Sequence, residues 1–265
     1  MPMLWVAILL GIVEGLTEFL PISSTGHLIV TGHLVGFEGK RAEAFEVFIQ
    51  LGAILAVVWE YRVRLFRVVA DLPRSRAARG FALNLIVAFL PAAVIGLLVH
   101  DAISSYLFSP GTVGAALIGG ALLIFAVEGR APRSRTHAAE SVTSGQALQI
   151  GFFQCLALWP GFSRSAATIL GGMTAGLDRR AATEFSFFLA IPTMFAATFY
   201  DLYKNWSELE PGDLTWLALS FAISFVVAWI SIRWLLRYVS THTLRAFAWY
   251  RIGFGVVILV VLYLL

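Results

Sequence analysis

Glu14-Gly-Leu-Thr-Glu18-Phe-Leu-Pro21-Ile-Ser23-Ser24-Thr25-Gly26-His27 puts two carboxylates, four hydroxyls and an imidazole into one short stretch. The residues before it, Leu4 to Val13, are apolar apart from Gly11. The polarity therefore sits at the end of a segment suited to lipid, where ionisable groups are costly and must be paired, hydrated or used. Pro21 lacks an amide donor and breaks a helix, and hydroxyl residues just after a break suit a new N-terminus. Broken backbone at membrane depth is tolerated only where protein or a wet cavity covers it. The stretch reads as a re-entrant helix–break–helix hairpin.

The rest of the chain supplies the membrane context. Of its 265 residues, 59% are hydrophobic and only 13% are charged, against about 25% charged in soluble domains. Mean hydropathy is +0.82. This predicts an all-α integral membrane protein, a single membrane domain over 1–265, and excludes a soluble enzyme. Eight Trp, seven Tyr and 21 Phe suit a bundle with interfacial aromatics. The formal charge of +3 is explained by loop arginines and calls for no nucleic acid partner. A single cysteine, Cys155, excludes an internal disulfide. Met1 to Val13 lacks a basic leader, so no cleavable signal peptide is expected; nor is an appended soluble domain. Six segments are predicted to span: Phe45–Trp59, Phe81–Val99, Thr112–Val127, Phe185–Tyr200, Leu214–Ile232 and Phe247–Leu265.

A second broken segment, around residues 148–172, repeats the first with Pro160-Gly-Phe-Ser163-Arg164-Ser165. At an offset of 140, Gly11 meets Gly151, Glu14 meets Gln154, Ser23 meets Ser163, Gly32 meets Gly172 and Phe45 meets Phe185. Residues 1–130 and 148–265 are then two repeats, each one hairpin plus three spans. Three is odd, so the copies must be inverted, an arrangement used by transporters. Arginines crowd 61–80, 129–147 (including Arg133) and 233–246, whereas 201–213 carries Asp201, Glu208, Glu210 and Asp213. The positive-inside rule puts the first three in the cytoplasm and the last outside. The first hairpin then enters from outside and the second from the cytoplasm, so their polar tips can meet.

Glu14 and Glu18 share a helix face, as candidates for acid/base work or a divalent-metal seat. Ser24 and His27 are three apart, the spacing of a hydroxyl and its base. The structural alternative for Ser23, Ser24 and Thr25 is helix capping, which accounts for one hydroxyl but not for the set with His27. His33 reads as structural. Arg164, between Ser163 and Ser165 where a helix restarts, suits anionic oxygens; the alternative is an ion pair with Glu14 or Glu18. Ser23, Thr25, Ser163, Ser165, Thr168 and Gln50 are the expected substrate contacts, with Gln50 and Gln154 equally suited to structural roles. The combination indicates phosphoryl chemistry. Nucleotide loops and zinc motifs are absent from the sequence.

Glu14 to Leu28 and Pro160-Gly-Phe-Ser-Arg164-Ser-Ala-Ala-Thr168 resemble the motifs of the undecaprenyl-diphosphate phosphatase, or bacitracin-resistance, family. Gln50-Leu-Gly-Ala and Glu184-Phe-Ser-Phe-Phe-Leu-Ala fit as well, and Ala166 stands where a small residue is usual. The resemblance implies hydrolysis of undecaprenyl diphosphate at the outer (periplasmic) face of the bacterial plasma membrane, recycling the carrier lipid for cell-wall synthesis. It also implies Glu14, Glu18, Ser24, His27 and Arg164 as the functional set, and a divalent cation, Mg2+ or Ca2+. Glu14 and Glu18 are its expected ligands. Ser24 activated by His27 is the expected nucleophile, with direct attack by water as the alternative. Acid-phosphatase-like lipid phosphatases also carry Ser-Arg, but their second histidine has no counterpart after Arg164. An inverted-repeat transporter or flippase of a polyprenyl phosphate is the rival class. The Gly-rich Gly114–Gly120 segment suits helix packing within or between subunits, which leaves a homodimer open.

Overall fold

The first helix, α1 (Met3–Thr17), stops short of Pro21, and α2 (Ser24–Val35) starts after it. The chain is seen here in a computed structural model that describes residues 3–107, 109–130, 134–205 and 211–264. Met1, Arg133, Glu208, Glu210 and Leu265, which enter the expectations above, lie outside the described residues. After α2 come α3 (Lys40–Glu60), α4 (Arg62–Asp71), α5 (Arg76–Tyr106) and α6 (Pro110–Arg130). Then follow α7 (Ser144–Gln154), a 3-10 turn at Cys155–Leu158, α8 (Arg164–Thr174), α9 (Arg179–Asn205), α10 (Leu214–Thr241) and α11 (Arg245–Leu264). The described residues form no β-strand beyond one isolated bridge, Thr136 to Leu177.

Five helices, α3, α5, α6, α9 and α10, are long and apolar enough to cross a bilayer. The sixth expected segment falls in α11, which runs for 20 residues. The segment 61–80, read as a loop, instead contains α4. Its Val63, Phe66 and Val69 recur every third residue and are exposed, the pattern of a helix with one apolar face.

Glycine sets how closely the helices approach. A Cβ on Gly11 would lie 2.6 Å from the Ser220 carbonyl oxygen of α10, and one on Gly151 would lie 2.6 Å from the Ala88 oxygen of α5. Both are far inside van der Waals contact, so only glycine lets α1 pack on α10 and α7 on α5. Close approach at small residues is the usual basis of helix association in lipid, where the hydrophobic effect gives little. Within the Gly114–Gly120 segment, a Cβ on Gly114 would meet Leu259 of α11 at 2.9 Å, and one on Gly120 would overlap the Arg251 guanidinium. That segment therefore packs α6 on α11 within the chain.

The two broken segments also end alike. The Phe37 amide donates to the Gly32 carbonyl and the Leu177 amide to the Gly172 carbonyl, each at 2.9 Å. Gly36 and Gly176 sit at φ 67° and 91°, the left-handed residue that such a helix stop needs. These three pairs of positions keep the offset of 140. Phe185, Phe187 and Phe188 of α9, all fully buried, anchor the core beneath the two breaks.

Candidate active site

The two breaks meet at the starts of α2 and α8. The N-caps are Ser23 (φ 73°, ψ 101°) and Ser163 (φ 76°, ψ 112°). They are the only non-glycine residues at positive φ among those described. Such backbone costs on the order of 1–3 kcal/mol and persists where the surroundings over-determine it, commonly at functional sites. Ser23 Oγ accepts from the Gly26 amide at 3.4 Å and Ser163 Oγ from the Ala166 amide at 3.2 Å. Capping thus accounts for these two hydroxyls. It leaves Ser24 and Thr25 free for other work.

Between the caps lies a cavity of about 240 Å³ lined by Glu18, Ser23, Ser24, Thr25, Gln50, Ser163, Arg164 and Thr193, with Trp159 and Met194 on its apolar side. The Ser24 hydroxyl donates to Glu18 Oε2 at 2.5 Å. Arg164 Nη2 donates to Glu18 Oε1 at 3.1 Å. The side chains of this pair are only 12% and 6% exposed. Arg164 Nη1 also donates to the Ser186 carbonyl at 3.3 Å, and its guanidinium lies 5.6 Å over the Phe19 ring. Arg164 Nε is buried with no hydrogen-bond partner. A planar cation with an unused buried donor at a polar cavity is suited to receive anionic oxygens.

Glu14 is fully buried, and neither of its carboxylate oxygens has a hydrogen-bond partner. It feels the charges of Glu18, Glu46 and Arg164. Two orphaned oxygens beside a second carboxylate fit a divalent cation of the Mg2+ kind, held by one or two carboxylates and completed by substrate phosphate oxygens and water. An all-protein cage does not fit, because no three His, Cys, Asp or Glu side chains cluster as one among the described residues.

His27 lies elsewhere than its spacing predicts. Its Nδ1 is 2.7 Å from the Ser23 carbonyl oxygen and its Nε2 is 2.7 Å from the Tyr250 hydroxyl. The ring stacks on Phe254 with centroids 4.2 Å apart. Both nitrogens are engaged, neither with Ser24, and Glu18 takes the place at the Ser24 hydroxyl assigned to His27. The reason is local: one turn into α2, the imidazole folds back on its own N-cap carbonyl. Ser165 and Thr168 also lie behind the cavity wall. Ser165 Oγ donates to the Leu20 carbonyl at 2.9 Å, tying the breaks together, and Thr168 Oγ1 pairs with Ser186 Oγ at 2.6 Å. Gln50 does line the cavity, and accepts from Thr198 Oγ1 at 3.2 Å. Gln154 is buried, with its amide 3.4 Å from the Ala88 oxygen.

Sequence reasoning missed Thr193 on the cavity wall, Glu46 near Glu14, Tyr250 on His27, and Arg251. The last was findable, since a lone arginine in the apolar Phe247–Leu265 segment is the same kind of anomaly as Glu14.

Residues 7–257 match the model of the family described as bacitracin resistance protein BacA. The chain belongs to that family. The match takes in both breaks and every cavity residue. Among relatives, the undecaprenyl-diphosphatase of Laribacter hongkongensis is 54% identical over 253 residues, covering 96% of this chain and 93% of its own. That of Nitrosospira multiformis is 55% identical over 256 residues, covering 97% and 94%. The undecaprenyl-diphosphatase 1 of Stutzerimonas stutzeri is 52% identical over 259 residues, covering 97% and 94%.

Proposed function

We infer that this protein is a membrane hydrolase that converts undecaprenyl diphosphate to undecaprenyl phosphate and inorganic phosphate, returning the lipid carrier to cell-wall synthesis and conferring bacitracin resistance. Family membership and the relatives' names support the reaction. The observation that carries the site is the single cavity in which Glu18 holds Ser24 at 2.5 Å and Arg164 at 3.1 Å.

In the proposed mechanism the prenyl chain stays among the lipid-facing helices and the diphosphate enters the cavity. Arg164 turns its unused Nε–H and its Nη donors to the phosphate oxygens, helped by the N-terminal turns of α2 and α8. Glu18 accepts the Ser24 proton as Ser24 Oγ bonds to the terminal phosphorus. The phosphorus–oxygen bond to undecaprenyl phosphate breaks, Glu18 passes its proton to the leaving phosphate oxygen, and that product leaves. Glu18, ionised again, takes a proton from the water that attacks the phosphoserine and returns it to Ser24 Oγ as phosphate is freed. In the variant without a covalent step, Glu18 deprotonates the attacking water and Ser24 only orients it. Glu14 and Glu18 would hold the divalent cation, Mg2+ or Ca2+; when bound it would neutralise phosphate charge. Ser23, Thr25, Ser163 and Gln50 border the transferred group, while Ser165 and Thr168 brace the wall.

The architecture we propose is six spans and two re-entrant hairpins in an inverted repeat. The constant offset, the paired serine caps and the reciprocal packing of α1 on α10 and α7 on α5 support it. With the arginine-rich segments in the cytoplasm, the cavity opens to the outer face of the plasma membrane.

Phosphate release by purified protein from a C55 diphosphate tests the assignment. Glu18→Gln and Arg164→Ala should each lose most of the rate; undiminished release in both would remove the cavity from the reaction. Movement of lipid with no phosphate released would favour a flippase. Labelled phosphate trapped on Ser24 separates the covalent route from direct attack by water.

A further inference from the structure

Arg251 is the largest fully buried side chain among the described residues. It lies in α11, away from the cavity lining, and makes no ion pair with a carboxylate among the described residues. Its guanidinium is satisfied by backbone instead. Nη1 donates to the Pro21 carbonyl at 3.1 Å, and Nη2 to the Gly161 carbonyl at 3.3 Å and the Ala116 carbonyl at 3.2 Å. Nε donates to the Leu117 carbonyl at 3.0 Å. The Phe162 ring lies 5.8 Å from the guanidinium carbon. Gly120 leaves the room, because a Cβ there would overlap Nη2.

Two of those four carbonyls are the ones freed by the breaks. Pro21 precedes the Ser23 cap and Gly161 precedes the Ser163 cap. A buried carbonyl without a donor is costly, and a buried cation without an acid is costlier. One planar side chain answers both, and its rigid fork fixes the two carbonyls relative to each other and to α6. Glu18 and Ser24 hang from the first break and Arg164 from the second.

We propose that Arg251 is a positioning residue that sets the separation of the two halves of the active site. It clamps the backbone just before each serine cap, and its removal lets Arg164 drift from Glu18 and Ser24. Lysine retains the charge but, as a compact ammonium with three donors, cannot hold carbonyls on both edges of a plane. The proposal rests on the reading of the cavity as the phosphate site, so Glu18→Gln is run beside it.

The experiment is steady-state phosphate release from a C55 diphosphate in detergent micelles, with thermal unfolding of each variant. Arg251→Lys should lower kcat by about tenfold or more, as small misplacements of reacting groups do, with KM within about threefold because the lipid contacts are untouched. Gly120→Ala, on α6 and outside the cavity, should reproduce that split by displacing the guanidinium. It also carries the test if Arg251→Lys does not fold. A wild-type kcat in a folded Gly120→Ala or Arg251→Lys protein, with Glu18→Gln inactive, overturns the clamp and leaves the site standing. Equal losses at every temperature that only track the fraction unfolded overturn it too, since they mark a general support of the fold. An active Glu18→Gln protein shows instead that the reading of the cavity is at fault.

Discussion

Exchange of Glu18 for Gln and of Arg164 for Met, singly and together, should give strongly non-additive losses. Glu18 Oε1 accepts from Arg164 at 3.1 Å and Oε2 from Ser24 at 2.5 Å, in side chains 6% and 12% exposed. Breaking a buried pair from one side leaves the other charge uncompensated, which costs about 3–5 kcal/mol. Glu18→Gln should sit at the lower end, about 3 kcal/mol, because its amide oxygen still accepts from one of the two donors. Arg164→Met should cost a similar amount, leaving Glu18 beside Glu14 with no cation. The double variant buries no orphaned charge at this pair, so its loss should fall short of the sum by about 2–3 kcal/mol, at the upper end of measured couplings. Unfolding titrations in mixed micelles read the stability. Phosphate release reads the chemistry, where Glu18→Gln should fall by about 10²–10⁴ for loss of a general base. Losses that add to within about 0.5 kcal/mol would refute the coupled pair, and a normal rate in Glu18→Gln would refute its role as base.

The strained caps make a prediction of opposite sign for two small substitutions. Ser23→Gly should stabilise by about 1 kcal/mol, since glycine adopts φ 73° freely and loses little as a cap. Ser23→Ala should destabilise by about 1 kcal/mol, because the strain stays and the cap goes; thermal unfolding distinguishes them. Gly11→Ala and Gly151→Ala should each destabilise by about 1–3 kcal/mol through overlap with the Ser220 and Ala88 carbonyls, read by unfolding and folded yield. Away from the cavity lining, Arg64 bonds both Glu140 and Glu184. Arg64→Met should therefore lower stability by about 1–2 kcal/mol, with kcat in the surviving folded protein unchanged.

Much of the fold was legible because lipid tolerates so few solutions. A proline followed by hydroxyls inside an apolar run has one comfortable reading, and the helices stop at both. The meeting of the breaks could be inferred from charge: carboxylates on one, a cation on the other. The partner of Ser24 could not. Spacing places Ser24 and His27 on neighbouring turns but says nothing of χ angles, and the imidazole turns back to the Ser23 carbonyl while Glu18 reaches across the break. Helical spacing also could not show Ser165 and Thr168 facing inward, since that depends on where α9 packs. The helix α4 was hidden because its arginines satisfy the positive-inside rule equally well as loop or helix. Arg251 was visible as an anomaly, but its partners are backbone atoms, which leave no mark in a list of side chains.

The reciprocal seating of α1 on α10 and α7 on α5 sets a timetable for biogenesis. The groove that receives Gly11 is built around Ser220, about two hundred residues later in synthesis. At ordinary elongation rates of about 5–20 residues per second, α1 waits some 10–40 s for the helix that receives it, while Glu18 waits a shorter time for Arg164, 146 residues on. A nascent chain cut short before α8 would hold both carboxylates without Arg164, and one cut short before α10 would leave the first helix without its groove. The seat of the first helix is therefore complete only once α10 has been made.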